Sequence, residues 1–264
     1  MLLTNRNAII YGGGGALGAA VAGELAHEGA RVFLAGRSRA KLEAAAQRIA
    51  AAGGTVDVAE LDALDEAAVR RHADHVAERA GSIDIALNAI GVAHVQGVPL
   101  AGLSLADYLH PVEVYTRGNF ITAKAVAAHM VRRRAGVILS LSTPVSRMVG
   151  PGFLGHSVAC AGVEALSRHL AGELGADGVR TVCIRSHAIP EAVAAGSHSA
   201  EVFGTLARQA GISIDQMLAD AASGTVLKRL PTLADIAYTA VYLASDHAAA
   251  VSGVVVNLSG MILD

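Results

Sequence analysis

The stretch Ala8-Ile9-Ile10-Tyr11-Gly12-Gly13-Gly14-Gly15-Ala16-Leu17-Gly18, continuing Ala19-Ala20-Val21-Ala22-Gly23-Glu24-Leu25, decides the fold. Residues 8–11 form a short apolar run with the length and flanks of a buried strand. The glycines that follow permit a turn that side chains would block. Beyond them Leu17, Val21 and Leu25 recur at spacing four, one face of a helix. Strand, glycine turn and helix together offer backbone N–H groups and a helix N-terminus to a phosphate. Between these flanks, near the start of the chain, the turn reads as a dinucleotide site.

The same alternation continues outward. Residues 31–35 read as a second buried strand, ended by Gly36, Arg37 and Ser38, and Leu42, Ala45, Ala46 and Ile49 give the next helix its inner face. Residues 55–61 are a third strand. Asp65 caps a helix to about residue 80, with Val69, Ala73 and Val76 inward. Residues 83–89 are a fourth strand. A helical region over 104–133 contains Pro111, which predicts a break there. Strands follow at 137–141 and 179–185, with a helix over 157–174 between them, then a last helix over 233–244 and a strand over 253–258. Residues 187–224 carry small residues without a strong period and read as an irregular insertion, the usual place for a substrate lid.

This spacing predicts an α/β fold of the Rossmann type. It is a doubly wound parallel sheet of about seven strands with helices on both faces, in one domain over 1–264. The carboxyl ends of the strands, where such sheets bind ligands, carry the glycine turn, Gly36 and Arg37, Asp62, Asn88 and Gly91, Ser142 and Thr143, and Ser186 and His187.

A hydrophobic content of 53% against 17% charged residues predicts a large core. Without Trp, and with 3% aromatics, that core is aliphatic. No apolar run approaches the roughly 20 residues of a membrane span, and no cleavable leader is recognisable at the N-terminus. A net charge of −2 argues against nucleic-acid affinity. Cys160 and Cys183 are too few for a disulfide framework and fit a reducing cytoplasm. His72 and His75 lack a third ligand for zinc, so no metal is expected. Arg132, Arg133 and Arg134 end a helix where positive charge suits the dipole.

With these residues in view, the chain resembles the classical short-chain dehydrogenase/reductases over essentially its full length. The family's Gly-x-x-x-Gly-x-Gly turn lies on Gly12, Ala16 and Gly18. Asp62 falls where the family's acidic residue holds the adenine amino group, and Asn88-Ala89-Ile90-Gly91 matches its Asn-Asn-Ala-Gly segment in outline. The helix around Glu164-Ala165-Leu166-Ser167-Arg168 and the segment Leu243-Ala244-Ser245-Asp246 before Ser252-Gly253 match in order and spacing. The resemblance implies a nicotinamide dinucleotide held by Gly12, Gly14, Leu17, Gly18, Arg37, Ser38, Asp62, Asn88, Gly91 and Ile189. It also implies a homotetramer or homodimer joined through the helices around 104–133 and 157–174 and through the C-terminal segment.

The family's catalytic signature is replaced. Its Tyr-x-x-x-Lys falls on His156 and Cys160, its Ser on Thr143 and its Asn on Tyr115; its Pro-Gly after the sixth strand falls on Ser186-His187. The two losses on the helix belong together. A phenol needs a nearby cation to act as a base near neutrality, whereas an imidazole titrates near pH 6.5 unaided. His156 with Thr143 therefore forms a coherent acid/base pair, with Tyr115 as a second source of a phenol. Cys160, one turn from His156, invites a nucleophile, but no oxyanion hole is identifiable. After the second strand an NAD-selective site would carry a carboxylate; here stand Gly36 and Arg37, so NADP is expected over NAD.

The expected function is an NADP(H)-dependent oxidoreductase of the cytoplasm acting on a small carbonyl or alcohol, with neither nucleic-acid nor membrane partners. Two alternatives stay open. One is a non-redox catalyst on the same scaffold, of dehydratase or cyclase type, and the other a catalytically inactive dinucleotide-binding protein.

Overall fold

A computed structural model describes residues 1–263. Seven strands, β1 (Asn7–Tyr11), β2 (Arg31–Gly36), β3 (Thr55–Glu60), β4 (Ile85–Asn88), β5 (Gly136–Ser142), β6 (Val179–Ser186) and β7 (Val255–Leu258), form one sheet in the order β3-β2-β1-β4-β5-β6-β7. Every neighbouring pair is parallel. The order reverses direction between β1 and β4, which opens a crevice at their carboxyl ends.

Strand alternation assigns the core to two layers. Ala8, Ile10, Val32, Leu34, Ile85, Leu87 and Leu139 face α1 (Ala16–His27), α2 (Arg39–Ala51) and α9 (Leu233–Ala244). Ile9, Tyr11, Phe33, Ala35, Ala86 and Ile138 face α3 (Glu66–Ala80) and α4 (Leu105–Arg133), with α5 (Leu154–Leu174) beside them. Both layers are almost wholly aliphatic. Asp65 caps α3 by accepting from the Ala68 amide, and Val69, Ala73 and Val76 are its buried face, as the periodicity predicts.

Two expectations are corrected. The first is the break at Pro111, because α4 runs through it without interruption. The carbonyl that Pro111 leaves without a partner belongs to Asp107, an exposed residue of the first turn, where water can satisfy it. The proline ring itself is buried beside Gly155 of α5. The second concerns 187–224, which is helical rather than irregular. It holds α6 (Pro190–Ala194), α7 (His198–Ala210) and α8 (Ile214–Gly224). The small residues that blur the period are chiefly its Ala positions, which favour a helix without marking a face. No helix among the described residues is long and apolar enough to cross a membrane.

Candidate functional site

At the β1 end the site is built from backbone. The Gly12 and Gly13 amides both donate to the Ala35 carbonyl, at 2.8 and 3.1 Å, and fold the chain back under β2. Gly12 has φ +84°, and a Cβ there would strike the Ala89 carbonyl beyond β4. A Cβ on Gly18 would strike the Gly12 carbonyl, and one on Gly14 would lie 3.0 Å from Lys41 Cβ. Gly15 caps α1 without any side-chain hydrogen bond, so the first amides of that helix stay open to an anion. Leu17 packs into the core and holds α1 to the sheet.

Around this turn stand the other expected binding residues. Arg37 and Ser38 are exposed after β2, and the Ser38 hydroxyl caps α2 by accepting from the Lys41 amide. Asp62 is exposed, with one oxygen accepting from the Leu64 amide at 2.9 Å and the other free of contacts among the described residues. Asn88 turns inward instead: its Nδ2 donates to Thr122 Oγ1 at 2.9 Å and its Oδ1 accepts from the Ile90 amide at 3.1 Å. It is a pin between β4 and α4 rather than a free ligand. Gly91 lies under the imidazole of His198 from α7, whose ring fills the space a side chain would need. Ile189 is buried just before α6.

At the β5 end the site is built from side chains. His156 stands in the first turn of α5, and Tyr115 faces it from α4 with ring centroids 6.1 Å apart. Thr143 Oγ1 lies 3.3 Å from Cys160 Sγ. The structure thus brings together Tyr115, Thr143, His156 and Cys160, the four residues that the sequence reading set at catalytic positions. It adds three that the sequence reading did not single out: His94, Gln96 and His198. The His94 ring is 4.2 Å from the His156 ring. Gln96, buried in the loop after β4, puts its Nε2 at 2.8 Å from His94 Nε2 and 2.6 Å from His156 Nδ1. These residues lie on an irregular loop and on the segment 187–224, where no periodicity points at a partner. The one available signal was histidine itself, with His94 in that loop and His187 and His198 in that segment.

Burial leaves this end without charge. It pushes the His156 pKa down to about 3, helped by His94 and His198, and that of His198 down to about 4, helped by His94. His94 is lowered as well, mainly by burial. The phenol of Tyr115 and the thiol of Cys160 are both raised, again mainly by burial. His156 therefore does not titrate near neutrality, contrary to the expectation from its unperturbed value. No group of three or more His, Cys, Asp or Glu among the described residues could hold a metal ion.

Behind the site lies an ion pair that sequence reasoning missed. Glu164 of α5 receives Arg185 Nε and Nη2, each at 2.8 Å, along with the hydroxyls of Ser142 and Ser146. Burial pushes this carboxyl upward, but Arg185, Ser146 and Ser142 outweigh it and hold it below the usual carboxylate range. The signal was Arg185 itself, since an arginine at a buried position of a central parallel strand requires a carboxylate partner.

A family model described as enoyl-(acyl carrier protein) reductase matches residues 14–260. The chain belongs to the short-chain dehydrogenase/reductase family. It is 28% identical over 262 residues to (+)-borneol dehydrogenase 2 of Salvia officinalis, covering 98% of this chain and 89% of that protein. It is 28% identical over 264 residues to D-threitol dehydrogenase of Mycolicibacterium smegmatis, covering 98% and 93%. A short-chain type dehydrogenase/reductase from Mycobacterium ulcerans superposes with a TM-score of 0.86 at 26% identity, covering 98% and 90%. Family membership implies a nicotinamide dinucleotide. The glycine turn fits its pyrophosphate in that the first amides of α1 carry no side-chain cap, and Gly12 and Gly18 close the turn so tightly that a Cβ on either would strike backbone. At the other end of the crevice burial keeps the Cys160 thiol neutral, so it offers no charge there.

Proposed function

We propose that this short-chain dehydrogenase/reductase is an NADP(H)-dependent oxidoreductase acting on a small carbonyl or alcohol through an altered site. The observation that carries the reading is the convergence of His156, Tyr115 and Thr143 at the carboxyl end of β5, beside a glycine cradle that fits a pyrophosphate. A bound nicotinamide supplies or accepts the hydride. The chain's own residues do the rest. Gly12, Gly14 and Gly18 with the α1 N-terminus hold the phosphates, Arg37 and Ser38 receive a 2′-phosphate, and Asp62 accepts from the adenine amino group. His156 stays neutral and polarises the substrate oxygen as a hydrogen-bond donor, as an imidazole of depressed pKa can. Tyr115 and Thr143 supply hydroxyls around that oxygen.

The segment 187–224 serves as the lid, with His198 its contact on Gly91. A cavity of about 410 Å3 beneath it is lined by His94, Gln96, Asp107, His110 and Glu201 among others, and it favours a small polar substrate over a purely apolar one. The reading includes a cytoplasmic homodimer or homotetramer joined through α4 and α5. Phe120, 52% exposed beside a groove of about 650 Å3 between these helices, supports that face. Sedimentation as a monomer at micromolar concentration overturns this part.

One observation favours a second reading, a dinucleotide-binding protein without hydride chemistry: the Lys position holds a buried neutral thiol. Loss of reduced nicotinamide absorbance across a panel of small carbonyls separates the two. Turnover establishes the oxidoreductase; tight NADPH binding with no turnover on any member establishes the binding protein.

A further inference from the structure

The loop after β4 carries a hydrogen-bond sequence whose direction is fixed at its first link. Val92 offers a carbonyl oxygen, which only accepts. His94 Nδ1 lies 2.8 Å from it and therefore carries the ring's proton. A neutral His94 then has a bare lone pair at Nε2, and Gln96 faces that atom at 2.8 Å. Were the Gln96 amide reversed, its carbonyl oxygen would meet the lone pair head on, so the NH2 group faces His94. The same Nε2 of Gln96 lies 2.6 Å from His156 Nδ1, and its second hydrogen goes there. His156 Nδ1 is consequently an acceptor, and the proton of the neutral ring sits on Nε2. That Nε2 has no hydrogen-bond partner among the described residues.

We propose that Gln96, oriented by His94 and the Val92 carbonyl, is a positioning residue that fixes His156 as the Nε2–H tautomer, so that the ring meets a substrate oxygen as a donor. The role in reaction rests on the function proposed above; the tautomer itself does not. The polarity matters because the two tautomers do opposite things. With Nδ1–H held by a carboxylate, an imidazole presents a bare Nε2 and acts as a base. With Nδ1 capped by an amide N–H, it presents a proton and holds a carbonyl oxygen. The groups facing His156 reinforce the neutral form from every side: His94 from the loop, Tyr115 from α4, Cys160 one turn along α5 and His198 from α7, none of them a carboxylate. Burial among them keeps the ring uncharged.

The test is the 15N spectrum of histidine-labelled protein, with the resonance assigned by its loss in His156→Gln. The expected spectrum has His156 protonated at Nε2 and bare at Nδ1, unchanged from about pH 5 to about pH 8. Gln96→Glu replaces the donor by a pure acceptor, and the expected result is a shift of the His156 proton to Nδ1, with His94 taking a second proton. Gln96→Leu, close in volume, lets both tautomers populate. Where turnover is measurable, it lowers kcat about tenfold with KM little changed, one step of about 1.4 kcal/mol. A wild-type His156 protonated at Nδ1, or a tautomer unmoved by Gln96→Glu, overturns the proposal. Because the spectrum needs no substrate, a protein silent towards every carbonyl refutes the proposed function and leaves this assignment standing.

Discussion

At the β1 end of the crevice the structure presents backbone amides and the open end of a helix, held by glycines whose missing side chains let Gly12 touch Ala89 and Gly18 touch Gly12; other groups stand at the far end. At the β5 end they are half-buried imidazoles, a phenol and a hydroxyl beside the buried thiol of Cys160, all neutral. The first end leaves no room for a side chain at Gly12 or Gly18, because backbone lies where the Cβ would go. The second is built from side chains, Tyr115 on α4, His156 and Cys160 on α5 and Thr143 just after β5, whose chemistry the backbone does not dictate. Geometry dictated by main chain resists change, whereas chemistry borne by side chains on stable helices can be rewritten in place.

Four measurements press on that contrast. The largest effect is expected at the rigid end. Gly12→Val puts a branched side chain at φ +84° against the Ala89 carbonyl, and nucleotide binding measured by calorimetry should fall below detection, with loss of stability. Retention of near-normal affinity would mean that the cradle is not the phosphate site. At the other end, His156→Ala should lower kcat by about 10²–10⁴ while nucleotide affinity stays within a factor of about two. A pH–rate profile lacking any group near neutrality should accompany it in the parent, since His156 titrates at about 3.

Acid stability comes next in size. His156 and His72 have folded values of about 3 and 4 against 6.5 unfolded. The fold binds fewer protons than the unfolded chain, so their contribution is full above about pH 6.5 and is lost as pH falls towards the folded values. Each should remove about 1.4 kcal/mol per pH unit across that window. Denaturant unfolding at a series of pH values reads the slope, and His72→Leu should reduce it by one proton; an unchanged slope would show that His72 takes up its proton equally in both states. The smallest effect is at Arg37. Arg37→Ala should weaken NADPH about tenfold and leave NADH nearly unaffected, about 1.4 kcal/mol of selectivity. Equal losses for both would remove Arg37 from cofactor choice.

The legible part of the sequence was that governed by local rules. The glycine turn, the Asp65 cap and the period of Val69, Ala73 and Val76 each state their own structure, and together they gave the order of elements and the ends of the strands. Pro111 misled because the rule against helical proline assumes a buried carbonyl four residues back, and Asp107 lies in a solvated first turn. His156, Thr143 and Tyr115 could be located by spacing from Val163-Glu164-Ala165-Leu166 and from Gly118 and Phe120, but their protonation could not. That depends on burial and on Gln96, 60 residues away in sequence, across a contact no local pattern encodes. Arg185 was the readable clue that went unused, a charge at a position where only a paired one survives.

The seat of His198 on Gly91 also bears on time. Any ligand that comes to lie against Gly91 must first displace an imidazole anchored in the 13-residue helix α7. Entry is then gated by a motion of the protein alone, and the observed association rate should level off as ligand concentration rises, at the frequency with which that helix lifts.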